Sequence, residues 1–305
     1  MPKNKLLIIL CYVLVYVIWS TTYLAVKLGV SSIPVLLLVG LRWTFSGIFL
    51  TAIGFILYKK NFLRGITKTQ IFHSLLAGLF ILVINNLFFT ESMKTLDTYI
   101  AAMMGATSPL LLTIFDYLIN GIRFSKSTLL AILIGITGIG ILLYKGTFLL
   151  AYDFHIITYL IGMLSFTFGP ALCRKLKLLD NTVLNSVVQM YFTGIIGLSI
   201  FFISGNRIPL SSITSTSWMA LLYLITFGGI GMLAYMYLIK NEPLSRVSSY
   251  TFVNAIGATI VGSLVGEKLT PNLFIAAPMI FIALVVILRS RAKTPELDLE
   301  EEMLR

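Results

Sequence analysis

Ten apolar segments, each about long enough to cross a bilayer, constrain this chain more than any other feature. They fall at residues 6–27, 34–58, 70–91, 97–120, 127–145, 156–175, 184–204, 217–239, 246–265 and 271–289. Only 11% of the residues are charged, against about 25% in a typical soluble domain, so the chain cannot cover these segments with polar surface. The predicted fold class is therefore an all-α polytopic membrane protein with ten transmembrane helices.

Lysine and arginine are distributed unequally between the two sets of connectors. If the amino terminus is cytoplasmic, 16 of them fall on the cytoplasmic side and five on the outer side. Because positive charge accumulates in cytoplasmic loops, both termini are predicted to lie on the cytoplasmic side of the cell membrane. The first apolar stretch continues to about Val26, too long for a signal peptide, and predicts a retained helix. The acidic residues 293–305 are predicted to form a disordered cytoplasmic tail.

Several classes of function are disfavoured by composition and motifs. The net charge of +11 does not indicate nucleic-acid binding, because the basic residues end apolar segments instead of clustering on one face. Cys11 and Cys173 make no disulfide framework, and His73 and His155 fall at opposite membrane faces, where they cannot share a metal. No Walker, H-E-x-x-H or C-x-x-C motif occurs. We therefore predict no cofactor, no metal and no enzyme, and expect a small-molecule substrate and the lipid bilayer as partners.

An internal repeat relates the two halves of the chain. The stretch "GATSPLLLTIFDYLINGIRFS" matches the later stretch "VNAIGATIVGSLVGEKLT" at an offset of 145 residues. Pro109 and Asn254 occupy matching places, and each is followed twelve residues later by a glycine, Gly121 or Gly266.

The first helix shows the same relation. Trp19 corresponds to Phe166 at an offset of 147, with a basic residue eight positions later in each case. Residues 1–147 and 148–292 are thus predicted to be two repeats of five helices each. An odd number of helices per repeat inverts the second repeat, which is typical of secondary transporters that bind substrate at the midplane.

These motifs resemble those of the EamA-type carriers in the drug/metabolite transporter superfamily. "IWSTTYLAVKLG" resembles the first-helix signature of that family, and "IPVLLLVGLRW" resembles the second helix with its Leu-Arg pair. The two repeated stretches resemble those that end in Gly-Glu-Arg or Gly-Glu-Lys before helices five and ten. The resemblance covers residues 6–290 and implies a ten-helix carrier with a central cavity. The members of this family mostly export amino acids, other metabolites or drugs.

Three positions depart from the family pattern. Ser20 directly follows Trp19 where the family has a glycine, and Asn254 stands where the second repeat has proline. Ile122 replaces the glutamate of the first repeat, whereas Glu267 is kept in the second. These departures argue against transferring the substrate of any particular relative.

Polar groups within the apolar segments are the candidate substrate-binding residues. Trp19 and Tyr23 lie one helical turn apart, so they share a face that points toward a neighbouring helix or a cavity. Asn85 and Asn86 are adjacent, so we expect at most one to face the cavity squarely and the other to bond a neighbouring helix. The remaining candidates are Tyr99, Gln189, Tyr235, Tyr250 and Asn254.

Arg42 is placed about 12 Å below the outer membrane boundary, at about 1.5 Å per residue along the second helix. A charge at that depth needs a partner or water. One alternative is a structural ion pair with Glu91, which lies at a compatible depth. The other is that Arg42 faces the cavity and binds a substrate carboxylate or phosphate. A membrane-embedded enzyme would need two convergent titratable groups, and only this pair approaches that requirement.

Other residues are predicted to act in structure or gating. Lys27, at the outer end of the first helix, is expected to snorkel toward the membrane surface. Glycines in the fifth helix predict close packing, with a homodimer as one outcome. Asp116 is expected near the cytoplasmic face as a gate or loop contact and not as a proton carrier. The further members of this group are Glu91, Pro109, Gly121, Gly266 and Glu267.

The function predicted is that of a secondary transporter for a small metabolite, such as an amino acid or a related amphipathic compound. Alternating access would operate around a midplane cavity lined by helices one, two, three, four, seven, eight and nine. Export is implied by the family resemblance alone, and coupling to protons, exchange and uniport all stay open. The alternative within the carrier class is multidrug or aromatic-cation efflux, for which Arg42 would be paired structurally.

Overall fold

A computed structural model describes most of the chain and contains α-helix without strands in that part. The described residues are 5–121, 126–144, 154–205, 207–242 and 244–293. The predicted acidic tail beyond Lys293 and the departure at Ile122 lie outside them.

Ten helices, here numbered α1 to α10, follow one another along the described residues. Their bounds are α1 Lys5–Val30, α2 Val35–Tyr58, α3 Lys68–Ser92, α4 Thr98–Asn120, α5 Lys126–Leu143, α6 Phe154–Cys173, α7 Thr182–Ile203, α8 Ser215–Asn241, α9 Tyr250–Leu264 and α10 Leu273–Lys293. Each end lies within four residues of the predicted one. The first eight are long and apolar enough to cross a membrane, while α9 and the apolar part of α10 are shorter.

Three helices are irregular near the middle of the bundle. Helices α3 and α8 contain π-helical segments at Leu79–Ile84 and Leu224–Gly228, which start 145 residues apart, as the sequence repeat does. Helix α4 is interrupted by a turn at residues 106–107, and Pro109 lies in the first turn of the part that follows. Proline is tolerated there because an N–H in the first turn has no partner within the helix, so the lack of one in proline costs no hydrogen bond. Irregular backbone at membrane depth is expected where it lines a cavity.

Helix packing is duplicated between the two halves. Helix α2 packs on α7, and α5 packs on α10. In the repeat, α1, α3 and α4 correspond to α6, α8 and α9. The contact of α3 with α6 is therefore matched by that of α8 with α1, and the contact of α4 with α6 is matched by that of α9 with α1. These main contacts therefore either join two corresponding helices or have a counterpart in the other half, as expected for two related five-helix units.

Glycines bring two of these helix pairs close together. A Cβ added at Gly197 of α7 would lie 2.9 Å from the backbone nitrogen of Gly40 in α2. Gly138 of α5 packs against Ile280 in α10, and Gly135 faces Leu110 and the same last helix. Two of the glycines that suggested a homodimer are thus used within the chain, because small residues let helix backbones approach.

Helices α4 and α9 end in the same way. Gly121 and Gly266, which follow them, have left-handed φ values of 69° and 90°. A residue with a Cβ is strained in that conformation, so glycine is the usual choice at a helix C-terminus. The glycines matched by the sequence repeat therefore terminate equivalent helices.

Candidate substrate-binding cavity

A cavity of about 800 Å³ lies between the two halves of the bundle. Its walls come from α1, α2, α3 and α4 of the first half and from α6, α8 and α9 of the second. The prediction that the seventh helix lines the site is wrong, because α7 contributes no wall residue and α6 takes its place. Helix α7 is instead occupied by its close contact with α2.

Seven of the ten predicted binding residues lie on this cavity. They are Trp19, Tyr23, Arg42, Asn85, Asn86, Tyr250 and Asn254. Tyr235 lines a smaller adjoining cavity of about 310 Å³, which shares Phe166 and Tyr250 with the central one. Tyr99 and Gln189 lie on neither of these two cavities.

Arg42 is the charged group of the cavity. Its side chain is 5% exposed, and Nη1 donates to Asn86 Oδ1 over 3.4 Å, whereas Nε has no hydrogen-bond partner. The guanidinium carbon lies 4.4 Å from the ring centroid of Trp43. A Cβ at Gly228 would lie 3.1 Å from Nη2, so the glycine in the π-helical segment of α8 lets the guanidinium pack closely against that backbone.

The ion pair between Arg42 and Glu91 does not form. Glu91 contacts Lys94 instead, at 2.8 Å on the protein surface. None of the residues that line the central cavity, all of which the structure describes, is acidic. A buried cation at membrane depth costs at least ~2.5 kcal/mol unless something compensates it, and Asn86 with the Trp43 ring offers only partial compensation. The geometry therefore supports the cavity-facing alternative for Arg42.

Both adjacent asparagines contribute to the wall, although one was expected to turn away. Asn85 Nδ2 donates to the backbone oxygen of Gly162 in α6 over 3.0 Å. Asn86 Nδ2 donates to Leu82 O at 2.9 Å within α3, which leaves Oδ1 facing Arg42. The expected bond from one asparagine to a neighbouring helix is thus formed by Asn85.

Four aromatic rings form a contiguous group, here called the aromatic cluster: Trp19, Phe166, Tyr235 and Tyr250. The ring centroids of Trp19 and Tyr235 are 4.7 Å apart, and those of Trp19 and Tyr250 are 4.9 Å apart in an edge-to-face arrangement. Tilted and edge-to-face pairs at such separations are favourable. Since members of the cluster line both cavities, it stands at the boundary between the central cavity and the adjoining one.

Several wall residues were missed by sequence reasoning. Phe89 packs edge-to-face on Tyr23, and the Tyr159 hydroxyl donates to the backbone oxygen of Ala101. Gly105, just before the break in α4, lets the hydroxyls of Tyr23 and Tyr159 approach its backbone. The repeat matched Phe166 to Trp19, and that correspondence was the available signal that α6 lines the site as α1 does.

Two of the predicted binding residues lie away from both cavities. Tyr99 is fully buried near the start of α4, where its hydroxyl approaches Lys268 O and Thr270 Oγ1 at 3.5 Å. Gln189 is fully buried and packs against Gly78 of α3. Sequence spacing placed them in the correct helices but could not show which neighbour each faces.

Beyond the cavity, Lys27 forms two ion pairs instead of snorkelling. Its Nζ lies 2.9 Å from Asp97 Oδ1 and 2.8 Å from Glu267 Oε1. Glu267 also accepts from the backbone N–H of Thr98 over 2.9 Å, so it caps α4. Burial raises the pKa of Glu267, but the hydrogen bonds from Lys27 and Thr98 outweigh it and hold the pKa below its ordinary value. These contacts join α1, the start of α4 and the segment after α9 at one end of the bundle, here called the Lys27 end.

The opposite end, here called the Arg174 end, is closed by a different pair. Arg174 Nε lies 3.6 Å from Asp116 Oδ1, and Asn120 Nδ2 donates to the same oxygen over 3.1 Å. Asp116 is 3% exposed. This position agrees with the expected contact role near the end of α4.

Helices long enough to cross a membrane, packed around a cavity that both halves line, define a multi-pass membrane protein with the layout of a carrier. The model of the EamA-like transporter family matches residues 6–144 and 153–289. The chain belongs to this family, within the drug/metabolite transporter superfamily.

Known relatives agree with that assignment. The "Uncharacterized inner membrane transporter YedA" of Escherichia coli (strain K12) is 32% identical over 276 residues, which cover 89% of this chain and 87% of that protein. An "Uncharacterized transporter" of Buchnera aphidicola subsp. Schizaphis graminum is 28% identical over 264 residues, 81% of this chain and 80% of its own. A solved structure titled "Crystal structure of protein" has a TM-score of 0.66 at 19% identity, over 94% of this chain and 98% of that one, which shows a shared fold.

Proposed function

We propose that this transporter moves a small metabolite with an anionic group, such as an amino acid or a related amphipathic compound, across the cell membrane. The observation that carries the proposal is the buried guanidinium of Arg42, which lines the central cavity without an acidic partner among the described residues. A guanidinium binds carboxylate or phosphate through two parallel hydrogen bonds. Nε, which has no partner, and one terminal nitrogen are available for that contact.

Alternating access is the mechanism that the duplicated packing favours. Five helices per half would place the second half in the membrane with inverted topology, as in other secondary transporters. The ion pairs of the Lys27 end would close the cavity from outside, and the Arg174 end with the aromatic cluster would close it from the cytoplasm. Opening one end at a time would expose Arg42 to either side, and family resemblance favours the outward direction.

Multidrug or aromatic-cation efflux is less well supported. That alternative required Arg42 to be neutralised structurally, and Glu91 contacts Lys94 instead. A cationic drug would have to enter a cavity whose one charged wall residue repels it. The aromatic walls would suit such a compound, but the positive charge of Arg42 would not.

Transport by purified protein in liposomes tests the proposal. A mixture of radiolabelled amino acids and monocarboxylates shows which compounds cross, and the same assay is applied to Arg42→Ala and Arg42→Lys after thermal unfolding has confirmed that both fold. We expect Arg42→Ala to reduce transport at least about tenfold, because losing a charge-assisted pair costs about 1.5–3 kcal/mol. Arg42→Lys should retain part of the transport activity, since lysine keeps the positive charge but cannot form two parallel hydrogen bonds to one carboxylate.

Arg64→Gln is the matched control. It removes an exposed arginine from the segment between α2 and α3, which contributes no residue to the cavity wall. Its transport should equal that of the parent. Unchanged transport in a folded Arg42→Ala protein would contradict the proposal.

A further inference from the structure

The central cavity carries a single formal charge. Arg42 is the one wall residue that is charged at neutral pH, and every wall residue lies in the described part of the chain. The carboxylates with buried side chains elsewhere in the described residues are already engaged: Glu267 by Lys27, Asp116 by Arg174 and Glu242 by Arg246. The empty site therefore holds one buried positive charge that its own walls do not neutralise.

We propose that the substrate is a monovalent organic anion: a carboxylate on an apolar or aromatic body, without an ammonium group. This inference rests on the proposed function and narrows its substrate class. One carboxylate would neutralise Arg42, so that the loaded cavity has no net charge. A zwitterion would leave the loaded cavity with a net charge of plus one, since no wall carboxylate is present to receive its ammonium. Buried charges in proteins are paired because desolvation of an unpaired charge is expensive.

The other polar wall groups do little to change this balance. The hydroxyl protons of Thr22, Ser108 and Thr251 are donated to backbone oxygens three or four residues earlier in the chain. The amide groups of Asn85 and Asn86 likewise donate to backbone oxygens. Trp43 Nε1 is a further buried donor without a hydrogen-bond partner, but it is uncharged, so Arg42 is the one charged donor that the wall offers a carboxylate.

The body of the substrate would lie against rings. Trp19, Tyr23, Phe89, Phe166 and Tyr250 all contribute to the wall. Aromatic side chains provide large apolar surfaces with defined geometry, and they suit a flat or branched apolar group better than a second polar one. The site thus has one cationic pole and an aromatic remainder.

Two series of compounds that share a body and differ in charge test the inference. The first is 3-phenylpropanoate, phenylalanine and phenethylamine; the second is 4-methylpentanoate, leucine and isoamylamine. Binding to the purified full chain is measured by quenching of tryptophan fluorescence and by thermal shift, and transport is measured in liposomes. In each series we expect the anion to bind at least about tenfold more tightly than the zwitterion, with no saturable binding of the amine.

Variants separate the role of the charge from that of the shape. Arg42→Gln should lower the affinity for the anions at least about tenfold and bring anion and zwitterion to similar affinity. Arg64→Gln should keep the preference of the parent. Persistence of the anion preference in Arg42→Gln would overturn the inference.

The results for the parent protein distinguish this inference from the proposed function. If leucine or phenylalanine binds as tightly as its anionic counterpart, or if other amino acids cross while neither anion binds, the inference fails and the carrier function stands. In that case the aromatic rings would bind the ammonium by cation–π contact. If no compound crosses the membrane, the proposed function itself fails.

Discussion

The two ends of the bundle are closed by ion pairs of different strength. At the Lys27 end, one lysine joins two carboxylates at 2.9 and 2.8 Å, and Glu267 also caps α4. At the Arg174 end, the arginine meets Asp116 at 3.6 Å. Lys27 and Arg174 are counterparts in the repeat. The two ends therefore have equivalent basic residues and differ in the acidic residues that pair with them.

The difference follows from one repeated position. Glu267, in the second repeat, corresponds to Ile122 in the first, at the same offset of 145 residues. The Lys27 end therefore keeps an acid that the Arg174 end lacks in sequence. Glu242, the counterpart of Asp97, pairs with Arg246 one turn further along the chain. Both ends have a pair that joins the two halves, but Lys27 meets two carboxylates at 2.9 and 2.8 Å, whereas Arg174 meets one at 3.6 Å. We therefore expect the Lys27 end to be joined more firmly, and four predictions test this asymmetry.

The largest effect is expected for Lys27→Met. The substitution leaves Asp97 and the buried Glu267 side by side without their shared cation. Removing one partner of a buried pair costs about 3–5 kcal/mol, and partial exposure of Lys27 reduces this to about 2 kcal/mol. Thermal unfolding in detergent micelles measures the change. Lys94→Met removes an exposed lysine that pairs with Glu91 and serves as control; an equal loss in both variants would refute the asymmetry.

Glu267→Gln is expected to have a smaller effect, about 1 kcal/mol. The amide oxygen can still accept from the N–H of Thr98, and Asp97 still pairs with Lys27. A neutral acceptor forms weaker hydrogen bonds with both donors than a carboxylate does. The same unfolding assay measures the loss, and a cost above that of Lys27→Met would mean that capping of α4 matters more than the ion pairs.

Acidification should weaken the Lys27 end through Glu267. Its folded pKa lies below the ordinary value of 4.5, so the unfolded chain binds the proton more readily. The stabilisation is therefore fully present above about pH 4.5 and is lost as the pH falls through the lower folded pKa. As the pH is lowered below about 4.5, the unfolding temperature of the parent should fall more steeply than that of Glu267→Gln. Parallel curves would show that protonation of Glu267 does not set the pH dependence.

The smallest effect is expected at the other end, for Arg174→Met. The pair is longer, Arg174 is about one-third exposed, and Asp116 retains the hydrogen bond from Asn120. We expect a loss of at most about 1 kcal/mol, measured in the same unfolding series. Arg246→Ala, which breaks a pair between residues four apart in the segment between α8 and α9, is the local control. A loss at Arg174 that matches that of Lys27→Met would make the two ends equivalent.

Helix positions were readable from the sequence, because each apolar segment must satisfy its backbone hydrogen bonds internally. That requirement forces helices of nearly the lengths predicted. The π-helical segments at Leu79–Ile84 and Leu224–Gly228 were not predicted. They arise where a helix adjusts to its neighbours, and apolar periodicity carries no signal for them.

The candidate site was predicted unevenly for a related reason. Trp19, Arg42 and Tyr250 are costly or conspicuous in an apolar helix, so the sequence alone pointed to them. Tyr99 and Gln189 are also polar residues in apolar helices, and the sequence did not separate them from the cavity residues. In the structure Tyr99 is enclosed by the segment between α9 and α10, and Gln189 packs against α3. Phe166 was not among the predicted binding residues, although the repeat already matched it to Trp19.

The sequence by itself determined the membrane-spanning helices, the repeat and the family, because these depend on composition, periodicity and spacing along one chain. Only the tertiary structure decided which polar residues meet. It placed Arg42 beside Asn86 instead of Glu91, and it gave Lys27 two carboxylates instead of the membrane surface. The reason is physical: depth in the membrane can be counted along a helix, but the direction in which a side chain points depends on how helices from both halves rotate and pack.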